Sequence, residues 1–191
     1  MRKTWIFLCA VWMCTSCHYK EKQMAEGIQQ LQSQSVDLCT DSMRCLVNGQ
    51  DTMLFRNKKN LKLVIYSDST ICSTCRMKNM HLWDGLLEES EIYGKSLDFY
   101  FIFTPAQKDL RSLELVMRTY SPNCPIYIDT MGIFGHKNPH IPKNAVFHTF
   151  LLDKDNKAVL AGDPLEHPEM RALYHQAIQQ LLNRTSYKKI P

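Results

Sequence analysis

The strongest constraint on this chain is a short, almost unbroken apolar run that ends at a pair of cysteines. Leu61, Leu63, Val64, Ile65 and Tyr66 leave neither face of a strand polar. Such a run reads as a central strand covered on both sides. Ser67, Asp68, Ser69 and Thr70 follow, a polar turn rich in residues that cap helices. Then come Cys72 and Cys75 in Cys-Ser-Thr-Cys, with Met80, Trp83 and Leu87 behind them at helical spacing. The cysteines therefore open a helix. A strand, a turn and C-x-x-C at a helix start form the setting in which this motif carries redox chemistry.

The physical reason is the thiolate, the nucleophile of disulfide exchange. A helix N-terminus offers unpaired N–H groups and partial positive charge, and Arg76 and Lys78 add more. Cys72 is expected to be the exposed attacker, and Cys75 the resolver that closes the intramolecular disulfide. Ile71, Ser73, Thr74 and Arg76 are its expected neighbours.

This segment resembles the active site of the thioredoxin superfamily, and the order of elements extends the resemblance over about residues 45–182. The resemblance implies an α/β, thioredoxin-like fold: a central mixed β-sheet flanked by helices on both faces. By motif match it again makes Cys72 the attacking thiol and Cys75 the resolving one. Many family members carry Trp before the first cysteine and a Pro-containing pair between the two. Here Ile71 and Ser73-Thr74 take those places, which bears on redox potential and partner choice rather than on the fold.

Ahead of this domain, Arg2 and Lys3 precede a short apolar stretch, Trp5 to Met13, too short to span a bilayer as a helix. Cys14-Thr15-Ser16-Cys17 and abruptly polar sequence follow. A small residue before a cysteine here resembles the bacterial lipoprotein signal, so residues 1–16 read as a signal peptide and Cys17 as the lipidated N-terminus. Cys14 is the alternative, and an ordinary signal peptide or uncleaved anchor the plainer reading. The chain is then exported and lipid-anchored in a bacterial cell envelope. Of 23 basic residues, Arg2 and Lys3 belong to the signal, and the others face 19 acidic ones. With charge so balanced and no basic–aromatic stripe, nucleic acid is not an expected partner. The expected partner is a protein thiol or disulfide; no cofactor and no metal are expected.

Residues 17–35 are polar and Gln-rich, with Met24, Ile28 and Leu31 at helical spacing. They read as a tether, with a short helix as the alternative. Residues 36–183 form the domain and 184–191 a basic tail. Cys39 and Cys45 are a candidate structural disulfide for an oxidising compartment, with two free thiols as the alternative. Leu46-Val47, Asn48-Gly49 and Thr52 to Phe55 predict a hairpin.

Beyond the motif, Leu97 to Phe103 predict a strand parallel to the first. Thr104-Pro105-Ala106-Gln107 resembles a capping box, and Leu110, Leu113, Met117 and Tyr120 give the next helix its apolar face. Ser121 to Asn123 break the chain. Cys124 begins another strand at the end away from Cys72 and reads as a small buried residue. Residues 130–146 read as a long loop; Pro139 opposes a helix face joining His136 to His140, so no metal site is read there.

His148 to Asp153 and Lys157 to Ala161 predict an antiparallel hairpin, similar to the last two strands of the thioredoxin fold. In that family a cis-proline precedes this hairpin against the disulfide. By register its slot lies near Phe147, so Val146 and Phe147 are expected to face Cys72. A non-proline cis bond costs about 2.5–4 kcal/mol, so a trans bond is expected. Pro168 opens a last helix with Met170, Leu173, Ala177 and Leu181 as its buried stripe and Tyr174 and Ile178 beside it.

Three functions fit these features. One is thiol–disulfide exchange by a membrane-tethered protein. The second is a non-catalytic binding or assembly lipoprotein whose disulfide is static or vestigial, since fold does not fix function. The third is peroxide reduction, from a resemblance of Ser69-Thr70-Ile71-Cys72 to the Thr-x-x-Cys loop of peroxiredoxins.

Overall fold

The computed structural model describes residues 19, 21–54, 60–120 and 124–187. The expected signal segment with Cys14 and Cys17, Phe55 and the expected turn at 57–59, the expected break at 121–123 and the end of the expected tail lie outside the described residues. Within them the strands form one sheet in the order β2-β1-β5-β4-β3-β6-β7. These are Arg44–Val47 (β1), Gln50–Asp51 (β2), Leu61–Ser67 (β3), Leu97–Phe103 (β4), Ile126–Ile128 (β5), Thr149–Leu152 (β6) and Ala158–Ala161 (β7).

The apolar run is the central strand, and all seven of its residues are buried. β3 runs parallel to β4, from Leu61 opposite Leu97 to Ser67 opposite Phe103, and β4 runs parallel to β5. On the other side β3 pairs antiparallel with β6, and β6 with β7. This is the α/β arrangement, a central mixed sheet with helices on both faces, that the sequence predicts.

Period-two alternation splits the buried residues into two cores. Leu63, Ile65, Phe99 and Phe101 point to one face, where they meet Met77, Trp83, Leu113 and Tyr174. Val64, Tyr66, Tyr100 and Ile102 point to the other, where they meet Leu31, Val36, Phe134 and Ile141. The first face is covered by α2 (Ser73–Lys78), α3 (Asp84–Ser90), α4 (Leu110–Thr119) and α6 (Pro168–Tyr187), the second by α1 (21–32) and α5 (Ile133–Lys137).

Several expectations are corrected. The stretch expected as a tether is helical over 21–32, and it is docked: Leu31 is fully buried in the second core, and Gly27 lies against the Phe147 ring. The packed domain thus begins before residue 36. Of the three residues at helical spacing only Leu31 is buried, and Met24 and Ile28 are exposed; Leu31 and Gly27 seat the helix.

The hairpin turns at Asn48 and Gly49, both with positive φ, but its second strand is Gln50–Asp51, and Thr52 to Leu54 lie beyond it. Two-residue turns of this kind match the twist of the flanking strands. Thr104 caps no helix: it is buried, and its hydroxyl donates to Asp129 Oδ2 at 3.4 Å. A 3-10 turn over Gln107–Asp109 intervenes before α4. The face of α4 is anchored by Leu113 and Met117, while Tyr120 is exposed. On α6 the buried line passes through Tyr174 and Ile178, and Leu173 is exposed. α6 also continues through Tyr187, so the expected tail begins as helix. Glu89 of α3 holds it in place, meeting Arg171 at 2.7 Å and His175 at 3.0 Å.

The long loop is organised by two side chains that sequence spacing did not reveal. The carboxylate of buried Asp129 accepts from the N–H groups of Ile133 (3.0 Å) and Phe134 (2.8 Å), which starts α5. Buried Asn138 accepts from Asp37 N–H and donates to the Asp37 and Phe134 carbonyls, each at 2.8 Å. The loop is thereby tied to the segment after α1. α5 ends before Pro139, as that residue requires. His136 is exposed and His140 buried, so the two do not share a site.

Candidate functional site

Asp68 shapes the turn that carries β3 into the cysteines. One of its carboxylate oxygens accepts from Thr70 N–H at 2.9 Å and from the Thr70 hydroxyl at 2.6 Å. Its carbonyl accepts from Ile71 N–H at 3.1 Å. This is an Asx-turn, in which a side chain satisfies backbone groups that no strand or helix can. It leaves Cys72 itself as the N-cap of α2. The capping residue is therefore not among Ser67 to Thr70, as expected, but the first cysteine.

Cys72 and Cys75 are joined as a disulfide, with Cα atoms 5.3 Å apart. Cys75 N–H donates to Cys72 Sγ at 3.2 Å. Both cysteines are exposed. Ile71, Thr74 and Arg76 beside them are half-buried, whereas Ser73 between them is buried, and its hydroxyl has no partner among the described residues. α2 is short because Asn79 breaks it and a 3-10 turn, Met80–Trp83, takes over. Met77, Met80 and Trp83 fix this unit on the first core.

The segment expected to face the pair precedes β6. Here every peptide is trans, as expected without proline. Ala145–Phe147 form a 3-10 turn whose N–H groups are used internally: Val146 donates to Asn144 Oδ1 at 3.2 Å, and Phe147 to Asn144 O at 3.0 Å. Val146 is half-buried. Phe147, expected to face Cys72, is buried, and its ring tip is packed on Gly27 of α1, since a Cβ at 27 would lie 2.2 Å from Phe147 Cζ. An approaching helix backbone is the physical cause, and only glycine admits it.

Sequence reading also passed over His148 as a strand residue. It is buried, its carbonyl accepts from Tyr66 N–H at 2.8 Å, and its ring lies 5.1 Å from the Tyr66 ring. Burial holds its imidazole below the ordinary histidine value, against the Pro142 carbonyl.

The expected Cys39–Cys45 disulfide is not formed. Cys39 is a free thiol that donates to the Asp37 carbonyl at 3.4 Å and caps a 3-10 turn in the left-handed region, at φ 52°. Cys45 lies in β1 opposite Tyr127. Burial, with the Asp37 hydrogen bond and charge, pushes the Cys39 thiol up to about 11. Cys124 is buried at the start of β5, at the end of the parallel strands away from Cys72, as expected. Among the described residues no helix is long and apolar enough to cross a membrane, and no three metal-ligating side chains cluster.

No family model matches the chain, and no curated protein matches it. Solved structures do. An uncharacterized thioredoxin-like protein from Porphyromonas gingivalis is similar at 10% identity, with a TM-score of 0.46, over 74% of this chain and 89% of its own. A thioredoxin-like protein from Bacteroides caccae is similar at 16% identity, with a TM-score of 0.39, over 70% of this chain and 47% of its own.

Proposed function

We propose that this chain is a thiol–disulfide exchange protein tethered to a bacterial envelope membrane through lipid on Cys17, with Cys72 as attacking thiol, Cys75 as resolving thiol and a protein disulfide or dithiol as partner. The observation that carries the reading is an exposed disulfide on a helix cap, with Cys75 N–H aimed at Cys72 Sγ. Exposure gives a partner access to the sulfur, and the N–H group that caps the sulfur now would stabilise the thiolate left on reduction. The tether rests on the sequence before residue 18.

A second reading, a binding or assembly protein with a static disulfide, is favoured by the segment before β6 that was expected to receive a partner chain. The N–H groups of Val146 and Phe147 are already consumed, and Phe147 is held by α1.

Redox titration of the full chain in glutathione buffers separates the two, with the pair followed by alkylation and mass spectrometry. The full chain is used because Leu31 and Val36 belong to the core. Exchange predicts a reversible midpoint between about −270 and −120 mV and a mixed disulfide trapped on Cys72 by Cys75→Ser. A pair that stays oxidised below about −300 mV, with no trapped adduct, leaves the static reading.

A further inference from the structure

The direction in which α1 crosses the sheet fixes where its N-terminal end lies relative to the disulfide. Gly27 lies against the Phe147 ring, just before the start of β6. Further on, Val36 N–H donates to the Asn156 carbonyl at 2.8 Å, past the end of β6. The chain from 27 to 36 therefore follows β6 from start to end, with Leu31 buried in the core that holds Phe150 and Leu152. β6 is antiparallel to β3, with Thr149 opposite Ile65 and Leu152 opposite Lys62. Its start thus lies at the end of β3, where Ser67 leads through the Asp68 turn to Cys72.

The part of α1 before Gly27 continues past the start of β6. From Glu21 to Gly27 that is about 9 Å at the rise of a helical residue. The N-terminal end of α1 and the Cys72–Cys75 pair therefore share one end of the sheet, α1 on the second core and α2 on the first. Cys17 stands only a few residues before Glu21. Whatever their conformation, four residues span at most about 14 Å. Tyr19 and Met24, both exposed, lie in this part of the chain. A tyrosine ring with its polar tip suits the boundary between lipid and water.

We propose that α1 is a strut that holds the Cys72–Cys75 end of the domain at the bilayer surface, so that the pair meets cysteines carried there by membrane-embedded proteins. The proposal rests on the lipid anchor and the exchange reading above. A free polar tether would let the domain turn in any direction. Here Gly27 and Leu31 make α1 part of the domain, so a lipid that holds the end of α1 also orients the sheet. Disulfide exchange requires one sulfur to reach another through a mixed disulfide. A pair confined to the layer next to the lipid headgroups is met by partners whose cysteines lie in that layer.

The test uses the full chain, made in a bacterial host, purified with its lipid and placed in nanodiscs of phosphatidylethanolamine and phosphatidylglycerol that carry a gadolinium-chelating headgroup lipid. Mass spectrometry first identifies the acyl groups on Cys17. NMR then reads the paramagnetic relaxation of amide protons at both ends of β6. The expected result is relaxation several-fold faster at residues 71–76 and 145–147 than at 154–156. Inserting about 20 Gly and Ser residues after His18, a coil of about 25 Å, should level the two ends. Equal relaxation at the two ends of the unaltered chain, or faster relaxation at 154–156, overturns the proposal, and so does a difference that survives the insertion. A chain without lipid on Cys17 overturns the anchor and the proposal with it. A second readout is reduction by a soluble protein dithiol, which should be several-fold slower on nanodiscs than in detergent micelles, while the small reductant dithiothreitol acts alike on both. Equal rates with the protein dithiol overturn the proposal. Relaxation does not depend on exchange, so a pair that no dithiol protein reduces defeats the exchange reading while the orientation is still scored.

Discussion

Replacing Gly27 with alanine tells a docked α1 from a free one by the sign of its effect. In an exposed helix interior, Gly→Ala stabilises by about 0.8–1.0 kcal/mol through lost unfolded-state freedom. In this structure the added Cβ would lie 2.2, 2.4 and 2.9 Å from three atoms of the Phe147 ring. That ring is only 3% exposed and has little room to swing away. Overpacking of this kind costs about 1–3 kcal/mol. The cost has a ceiling, because α1 can detach. Detachment exposes Leu31, whose burial contributes about 1.5–3 kcal/mol. With the propensity gain subtracted, Gly27→Ala should destabilise the full chain by up to about 2 kcal/mol and should not stabilise it. Urea denaturation of both proteins measures this, and hydrogen exchange over 21–32 reports whether α1 has come loose. A gain of about 1 kcal/mol with unchanged exchange would refute the docking argument.

Other consequences follow from the same contacts. Asn138→Ala removes one acceptor and two donor contacts to Asp37 and Phe134 and should cost about 2–3 kcal/mol, with faster amide exchange at residues 36–39; protection unchanged there would contradict the bridge. Cys39, with its thiol pushed up to about 11, should alkylate slowly at pH 8 and faster by about tenfold per pH unit until that value; rapid labelling at pH 8 would show the thiol is not held by Asp37. Burial depresses both His140 and His148 below 6.5. The unfolded chain therefore binds those protons first, so this stability is fully present above 6.5 and is lost as pH falls through the folded-state values. The urea midpoint of the oxidised protein should decline as pH drops below about 6.5, and His140→Phe should flatten that decline.

The elements legible in the sequence are those whose cause is local. Leu61 to Tyr66 and Leu97 to Phe103 are apolar except at Lys62 and Asp98 because each strand has a core on both faces, and composition alone carries that signal. Asn48-Gly49 fixed its own turn through positive φ. The Cys72–Cys75 pair was readable because the cap, the strand and the helix adjoin in the chain. Where the cause lay far away in sequence, reading failed. Asp129 and Asn138 looked like ordinary loop polar residues, and their work depends on N–H and C=O groups brought to them by folding. On α6, Leu173 and Tyr174 are equally apolar, and only the angle at which the helix meets the sheet buries one and exposes the other. Cys39 and Cys45 are close in the chain, but a left-handed cap and a strand pairing assign them different environments.

By itself, then, the sequence determined the α/β class, the parallel β3–β4 pair, the placement of Cys72 and Cys75 on a strand-to-helix turn and the closing hairpin. These follow from periodicity and from backbone preferences acting over a few residues. Tertiary structure alone decided that α1 is seated on the domain, that Phe147 turns to Gly27 and that the buried His148 ring packs on Tyr66. Each of these is a contact between segments more than fifty residues apart, and such contacts depend on shape and burial, which no short window of residues encodes.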